Sequence, residues 1–291
     1  MNIFKWLFGA ADDRGAEQSD TERHGRLEKA HSERKVVSND LPPELLKWHE
    51  RLEATRRPIL AATLLDGLPE TRSGSQLGGM AWWPTDRPYP VDESNIPLQL
   101  LLQVNFDDAP VLEGFPETGL LQLFVGTGEH YGCDFDNPER SPGFVCIYHD
   151  DTIGSAITEI PDDAVSGRVS GPLENPQMAT PLSFAHDTML IDPTTHQFMR
   201  EFADLRNDAR AMELYELVVR NTPKIRLGGY ATFAQTDPRA HDAALGDVTL
   251  ACLETIGPLM WGDAGVAQFL IDADDLKRRN VSQVAYNWDC A

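Results

Sequence analysis

The sequence is short of basic residues where it is richest in acidic ones: between positions 86 and 192 only Arg87, Arg140 and Arg168 stand against 19 Asp and Glu. Such a surface repels phosphate, so the composition argues against nucleic acid and anionic membrane as partners. No apolar run approaches the roughly 20 residues of a membrane-spanning helix; the longest, such as Leu98–Val104 and Val266–Ile271, are far shorter. No export signal is expected either. Met1–Gly9 has a single lysine, too short an apolar stretch and no small-residue cleavage site. The four cysteines, Cys133, Cys146, Cys252 and Cys290, form no C-x-x-C pair and none has zinc-ligand spacing to a histidine. Reduced thiols in the cytoplasm are the expected state.

Sequence motifs for chemistry are also lacking. There is no Walker lysine, no G-x-G-x-x-G, no G-x-S-x-G elbow, no H-E-x-x-H and no EF-hand loop. His130 with Asp134 and Asp136, or His186 and His196 flanking Asp187 and Asp192, carry no ligand spacing, so neither a metal nor a cofactor is expected. Cys133 or Cys252 with a distant histidine is formally open as a nucleophile, yet nothing in the local sequence selects one.

What is present is a globular composition, 41% hydrophobic, with a net charge of −21 that falls entirely on residues 58–291. Residues 1–57 balance 11 basic against 11 acidic side chains. Residues 1–40 read as a mobile tether, headed by the apolar cluster Ile3, Phe4, Trp6, Leu7 and Phe8. Residues 41–291 read as one domain. A helix is expected after Asp40, on Leu45, Trp48 and Leu52. A long one is expected near 198–220, with Phe198, Phe202, Leu205, Ala209, Met212 and Val219 on one stripe. Between them, period-two alternation at Leu98–Phe106, Leu120–Val125 and Phe144–Tyr148, punctuated by prolines and glycines, predicts short strands. The fold class is therefore α+β, with mixed or antiparallel sheets.

The strongest pattern is internal. Gln76-Leu77-Gly78-Gly79-Met80-Ala81 aligns with Arg226-Leu227-Gly228-Gly229-Tyr230-Ala231, and Gly119–Val125 with Gly265–Ile271. Both blocks stand in the same order, separated by an apolar strand. The chain thus reads as two diverged, intertwined β-rich repeats, about 75–190 and 224–291. The glycine pairs predict positive φ and close backbone approach. Gln122 and Gln268, mid-strand among apolar residues, are expected to tie down irregular backbone, since a buried amide must be hydrogen-bonded.

At Leu77-Gly78-Gly79 with Trp83-Pro84, Leu101–Val104, Pro116–Gln122, Tyr131–Asp134, Met260–Gly265 and Asn287–Cys290 the sequence resembles the YwqG-like family, a bacterial domain of unknown function. The resemblance spans about 45–291. It implies an α+β fold of two related, intertwined halves and brings no catalytic residues.

Candidate ligand-binding residues are Trp82, Trp83, Trp261, Asp263 and Asp134. Asp263 also suits an Asx turn, and the tryptophans suit a core. Two functions follow as expectations. One is a non-catalytic protein-binding module whose acidic face engages a basic protein, in the manner of an immunity protein. The other is an enzyme or small-ligand binder with a pocket between the repeats.

Overall fold

The computed structural model describes residues 41–159 and 171–291. The tether and its apolar cluster lie outside the described residues. The alternating segments fold as expected: Leu98–Phe106 contains β3 (Gln99–Asn105), and the next two form β4 (Leu120–Val125) and β5 (Phe144–His149). The second half supplies β7 (Ile225–Gly228), β8 (Val248–Glu254), β9 (Val266–Ile271) and β10 (Ala285–Asp289). Three further strands, β1 (Arg57–Leu64), β2 (Gln76–Leu77) and β6 (Thr180–Met189), complete a ten-stranded sheet in the order β10-β9-β8-β7-β1-β6-β2-β3-β4-β5. All nine strand pairs are antiparallel, which corrects the allowance for mixed sheets. Among the described residues no two neighbouring strands are joined by the crossover helix that a parallel pair requires.

The sheet curls until its outer strands nearly meet. Phe144 of β5 lies 4.9 Å from Tyr286 of β10, centroid to centroid. The 130–141 loop bridges the gap: the Trp288 indole N–H donates to the His130 carbonyl at 2.9 Å, and the Cys133 thiol meets the Tyr286 carbonyl at 3.3 Å. One apolar cluster fills the inside, drawing Leu102, Val104, Leu121 and Leu123 from one side and Ile225, Leu227, Phe269 and Ile271 from the other. Near-closure leaves little exposed strand edge for another chain to pair with.

The two sides of the sheet correspond in detail. In each, a Leu-Gly-Gly turn has both glycines at positive φ: 60° and 71° at Gly78 and Gly79, 77° and 68° at Gly228 and Gly229. A Cβ on Gly79 would lie 2.5 Å from that of Ala179, and one on Gly229 would lie 2.5 Å from Ile59 Cγ2. Each side has a register shift in its second strand, between Leu100 and Leu102 and between Thr249 and Ala251. After each turn the chain passes over the outer face of its own strands, and buried side chains from those strands hold it. Gln122 donates to the Trp82 carbonyl at 2.6 Å, and Gln268 to the Thr232 carbonyl at 2.7 Å. Gln103 accepts from the Trp82 N–H at 3.0 Å, while Gln76 donates to the Met80 carbonyl at 3.1 Å. Arg226, fully buried, donates to the Tyr230 carbonyl at 3.1 Å. The expected role of both mid-strand glutamines is met.

The helices differ from expectation. A 3-10 turn at Pro43–Trp48 leads into α1 (His49–Glu53), burying Leu45, Trp48 and Leu52 as predicted. The long helix near 198–220 is instead three: α2 (His196–Glu201), α3 (Ala203–Arg206) and α4 (Ala209–Val219). One break falls at Phe202; the other is set by Asp208, whose carboxylate caps the Ala211 N–H at 3.1 Å and starts a new helix in a new phase. Ala211 and Tyr215, not Ala209, Met212 and Val219, are then buried. Among the described residues no helix is long and apolar enough to cross a membrane.

Gln122 uses its whole amide: its N–H groups reach Trp82 and Gln103, and its Oε1 accepts from His149 Nε2 at 2.9 Å. Gln122→Leu leaves these groups unpaired in the core, and we expect a loss of about 2–4 kcal/mol in urea unfolding. An unchanged midpoint would show that the network does not hold the crossing segment.

Candidate functional site

The structure disperses the residues singled out from the sequence. Trp82 and Trp83 are buried on the outer face of β4 and β5, where Trp82 packs edge-on against His149 at 5.2 Å and Trp83 against Phe124 at 5.7 Å. Trp261 is fully buried within the sheet's interior cluster. Asp263 is exposed in a turn closed by the backbone, Gly265 N–H to the Trp261 carbonyl at 2.7 Å with Ala264 at φ 55°. No Asx bond from Asp263 occurs among the described residues. Asp134 caps its own loop, accepting from the Asp136 and Asn137 N–H groups at 3.0 and 3.1 Å. Burial pushes the Cys133 thiol up to about 12 and the Cys252 thiol up to about 11, so neither offers a thiolate near neutrality. Among the described residues no three His, Cys, Asp or Glu side chains are grouped to hold a metal.

A different place gathers charge. Where β7 ends at Gly228, the chain turns through Gly229 and Tyr230 beside the start of β1, the first turn of α2 and the segment that leads into β8. These elements enclose a cavity of about 240 Å³, lined by Arg57, His196, Arg200, Tyr230, Arg239 and Asp247, among others. A second hollow of about 350 Å³ adjoins it, sharing Arg57, Gln197 and Tyr230 and adding Arg51, Glu201 and Phe202. Four arginines therefore border one cleft in a chain of net charge −21.

Most of these charges are already engaged. Arg51 grips Asp204 through two bonds, at 2.8 and 3.2 Å, and with Trp48 Nε1 it holds that carboxyl down to about 2. Arg200 pairs with Glu201 at 3.0 Å. Arg239 holds the buried Asp237 through two bonds of 2.9 Å, and the same carboxylate accepts from His196 Nδ1 at 2.8 Å and from the His196 backbone N–H at 3.0 Å. Burial alone raises the Asp237 pKa, but Arg239 and His196 outweigh it and leave the carboxyl below its ordinary range. Arg57 is different. Its guanidinium lies 4.1 Å from the Tyr230 ring centroid and reaches the Gly229 carbonyl at 3.4 Å, with no carboxylate partner among the described residues. The Tyr230 hydroxyl is anchored on the Thr55 carbonyl at 2.7 Å, which fixes the ring that Arg57 lies against.

The cleft residues come from positions spread between 51 and 247, and no local motif joins them. The only sequence signal was the scarcity of basic residues in the centre of the chain, which leaves the arginines on the flanking segments.

Residues 75–290 match the family described as a domain of unknown function, DUF1963. The chain belongs to that family. No curated protein matches the chain.

Asp237 gives a pH prediction. Its folded-state pKa lies below the unfolded value near 3.8, so its stabilisation is full above that value and fades as pH falls through the folded one. We expect Asp237→Asn to destabilise by about 3 kcal/mol at pH 7 and to flatten the decline in stability below about pH 4. Urea unfolding at several pH values measures both; an equal acid slope in the variant would refute the assignment.

Proposed function

We propose that the protein is a small-ligand-binding member of its family and that its ligand presents an anionic group to Arg57. The observation that carries this reading is the unpaired guanidinium, braced on Tyr230, at the junction of the two hollows. An arginine held with its donors directed at no carboxylate is prepared to take one from a ligand, and the fork of N–H groups suits a planar carboxylate. The adjoining hollow, with Ala54, Phe202 and Tyr230 on its wall, gives the ligand's uncharged part an apolar surface. The acidic exterior favours a small anion over a long one, because a polyanion would have to lie against the outer carboxylates.

The corresponding sides of the sheet support the further inference that residues 75–190 and 224–291 are diverged copies, in the manner of the YwqG-like proteins that the motifs resemble. On that reading Tyr230 and Gly246 of the cleft stand where the first copy has Met80 and Ile96, so the cleft belongs to one copy only. The charge-led docking of a basic protein is the second reading. The exposed carboxylates at Asp86, Glu93, Asp107, Asp108, Glu117, Asp150 and Asp151 support it. Capture of a basic partner that survives about 0.5 M salt unchanged would argue against it. Free thiols at all four cysteines suit a cytoplasmic setting.

The test is titration with isovalerate, a short branched carboxylate. Wild type should bind it, and Arg57→Gln should weaken binding roughly tenfold to a hundredfold, the worth of one charge-assisted contact, while the thermal midpoint stays close to wild type. Absence of binding to wild type, or equal binding by the variant, would overturn the reading.

A further inference from the structure

The cleft's ion pairs leave a specific remainder. Arg51 is matched by Asp204, Arg200 by Glu201 and Arg239 by Asp237. Two charged side chains on the wall of the 240 Å³ cavity are left without an ion partner among the described residues: Arg57 and Asp247. They carry opposite signs and do not pair with each other. Asp247 precedes β8 and is exposed, so its carboxylate is open to whatever enters.

His196, also on the cavity wall, is already paired. The ionised Asp237 can only accept, so the 2.8 Å contact places a proton on His196 Nδ1. His196 is thereby engaged by Asp237 and is not part of the remainder. The cavity therefore offers one unpaired cation, Arg57, and one unpaired anion, the Asp247 carboxylate. Its volume corresponds to roughly eight waters at about 30 Å³ each, the size of a small metabolite.

From this remainder we propose that the cleft recognises the zwitterionic head of an α-amino acid, its carboxylate on Arg57 and its ammonium on Asp247. The inference rests on the reading of Arg57 as a carboxylate site and adds the second charge. A simple anion leaves Asp247 opposed to it, and a phosphate meets the same repulsion more strongly. The amino acid satisfies both leftover charges, and its side chain extends over Phe202 and Tyr230 in the adjoining hollow.

The experiment uses the full chain and calorimetric titration with glycine, L-leucine and L-phenylalanine, each compared with its N-acetyl derivative and its amide. We expect at least one free amino acid to bind about tenfold or more tighter than both of its derivatives, as loss of one charge-assisted contact implies. Asp247→Asn should erase the gap between free and N-acetylated forms without changing affinity for the N-acetyl form. Arg57→Gln should weaken both of those forms. Thermal midpoints of both variants establish that they are folded. N-acetyl forms that bind as tightly as the free ones, or a gap that survives Asp247→Asn, would overturn the zwitterion assignment while leaving the carboxylate site standing. If no member of the panel binds wild type, the zwitterion assignment fails; if isovalerate also fails to bind, the carboxylate reading fails with it.

Discussion

A polypeptide that runs across the face of a β-sheet buries peptide groups that the sheet's own ladder cannot satisfy. This chain does so twice, after Gly79 and after Gly229, and much of its polar interior answers that need. An unpaired buried peptide group costs about 1–3 kcal/mol. The strands beneath therefore carry Gln76, Gln103 and Gln122 on one side and Arg226 and Gln268 on the other, each bonded to the backbone above. The glycines belong to the same solution. At positive φ, a Cβ on either second glycine would collide with Ala179 or Ile59, so only glycine lets the chain pass so close.

The cleft exists because the second crossing is built differently from the first. Over the first, Trp82 and Trp83 lie against His149 and Phe124 and fill the space. Over the second, the corresponding Thr232 is a small side chain that links Arg226 to Asp192, with bonds of 2.6 and 2.7 Å. That chain of polar contacts ties the crossing to the loop before α2, and α2 brings His196 and Arg200 to the cavity wall. Packing thus satisfies one crossing, and a hydrogen-bonded network with room beside it satisfies the other.

The sequence revealed the parts of the fold governed by local periodicity and by glycine. β3, β4 and β5 follow the expected alternating segments, β9 follows from the repeat of Gly119–Val125 at Gly265–Ile271, and both Leu-Gly-Gly turns have the conformation their residues demand. β1 and β6 were not legible. β1 opens on Arg57-Pro58, and β6 exposes Ser183, Ala185 and His186 along its length, so neither gives a clear two-residue period. The break at Asp208 was hidden because apolar residues continue at helical spacing through it, and a cap can restart a helix where the pattern alone would run on. The cleft was least legible of all. Its arginines act through what they fail to pair with, and pairing depends on tertiary placement. Asp263 and Asp134 are acidic residues in glycine-containing loops, yet one turn closes through backbone bonds and the other carboxylate is used up by its own loop.

The β1–β6 pair has a temporal consequence. Arg57 lies opposite Met189, and the two strands pair over eight residues, while β1 also borders β7. During synthesis at roughly 5–20 residues per second, β1 is made about 7–26 s before the strand that must lie beside it, and it waits longer still for β7. Through that interval Ile59 and Leu60, both fully buried in the finished protein, have no sheet to enter. Arg57 and Pro58 at the head of the strand, one charged and the other without an N–H donor, are the features that blunt a lone strand against wrong partners. The arginine assigned to the ligand thus stands first in a strand that must remain unpaired until most of the chain has been made.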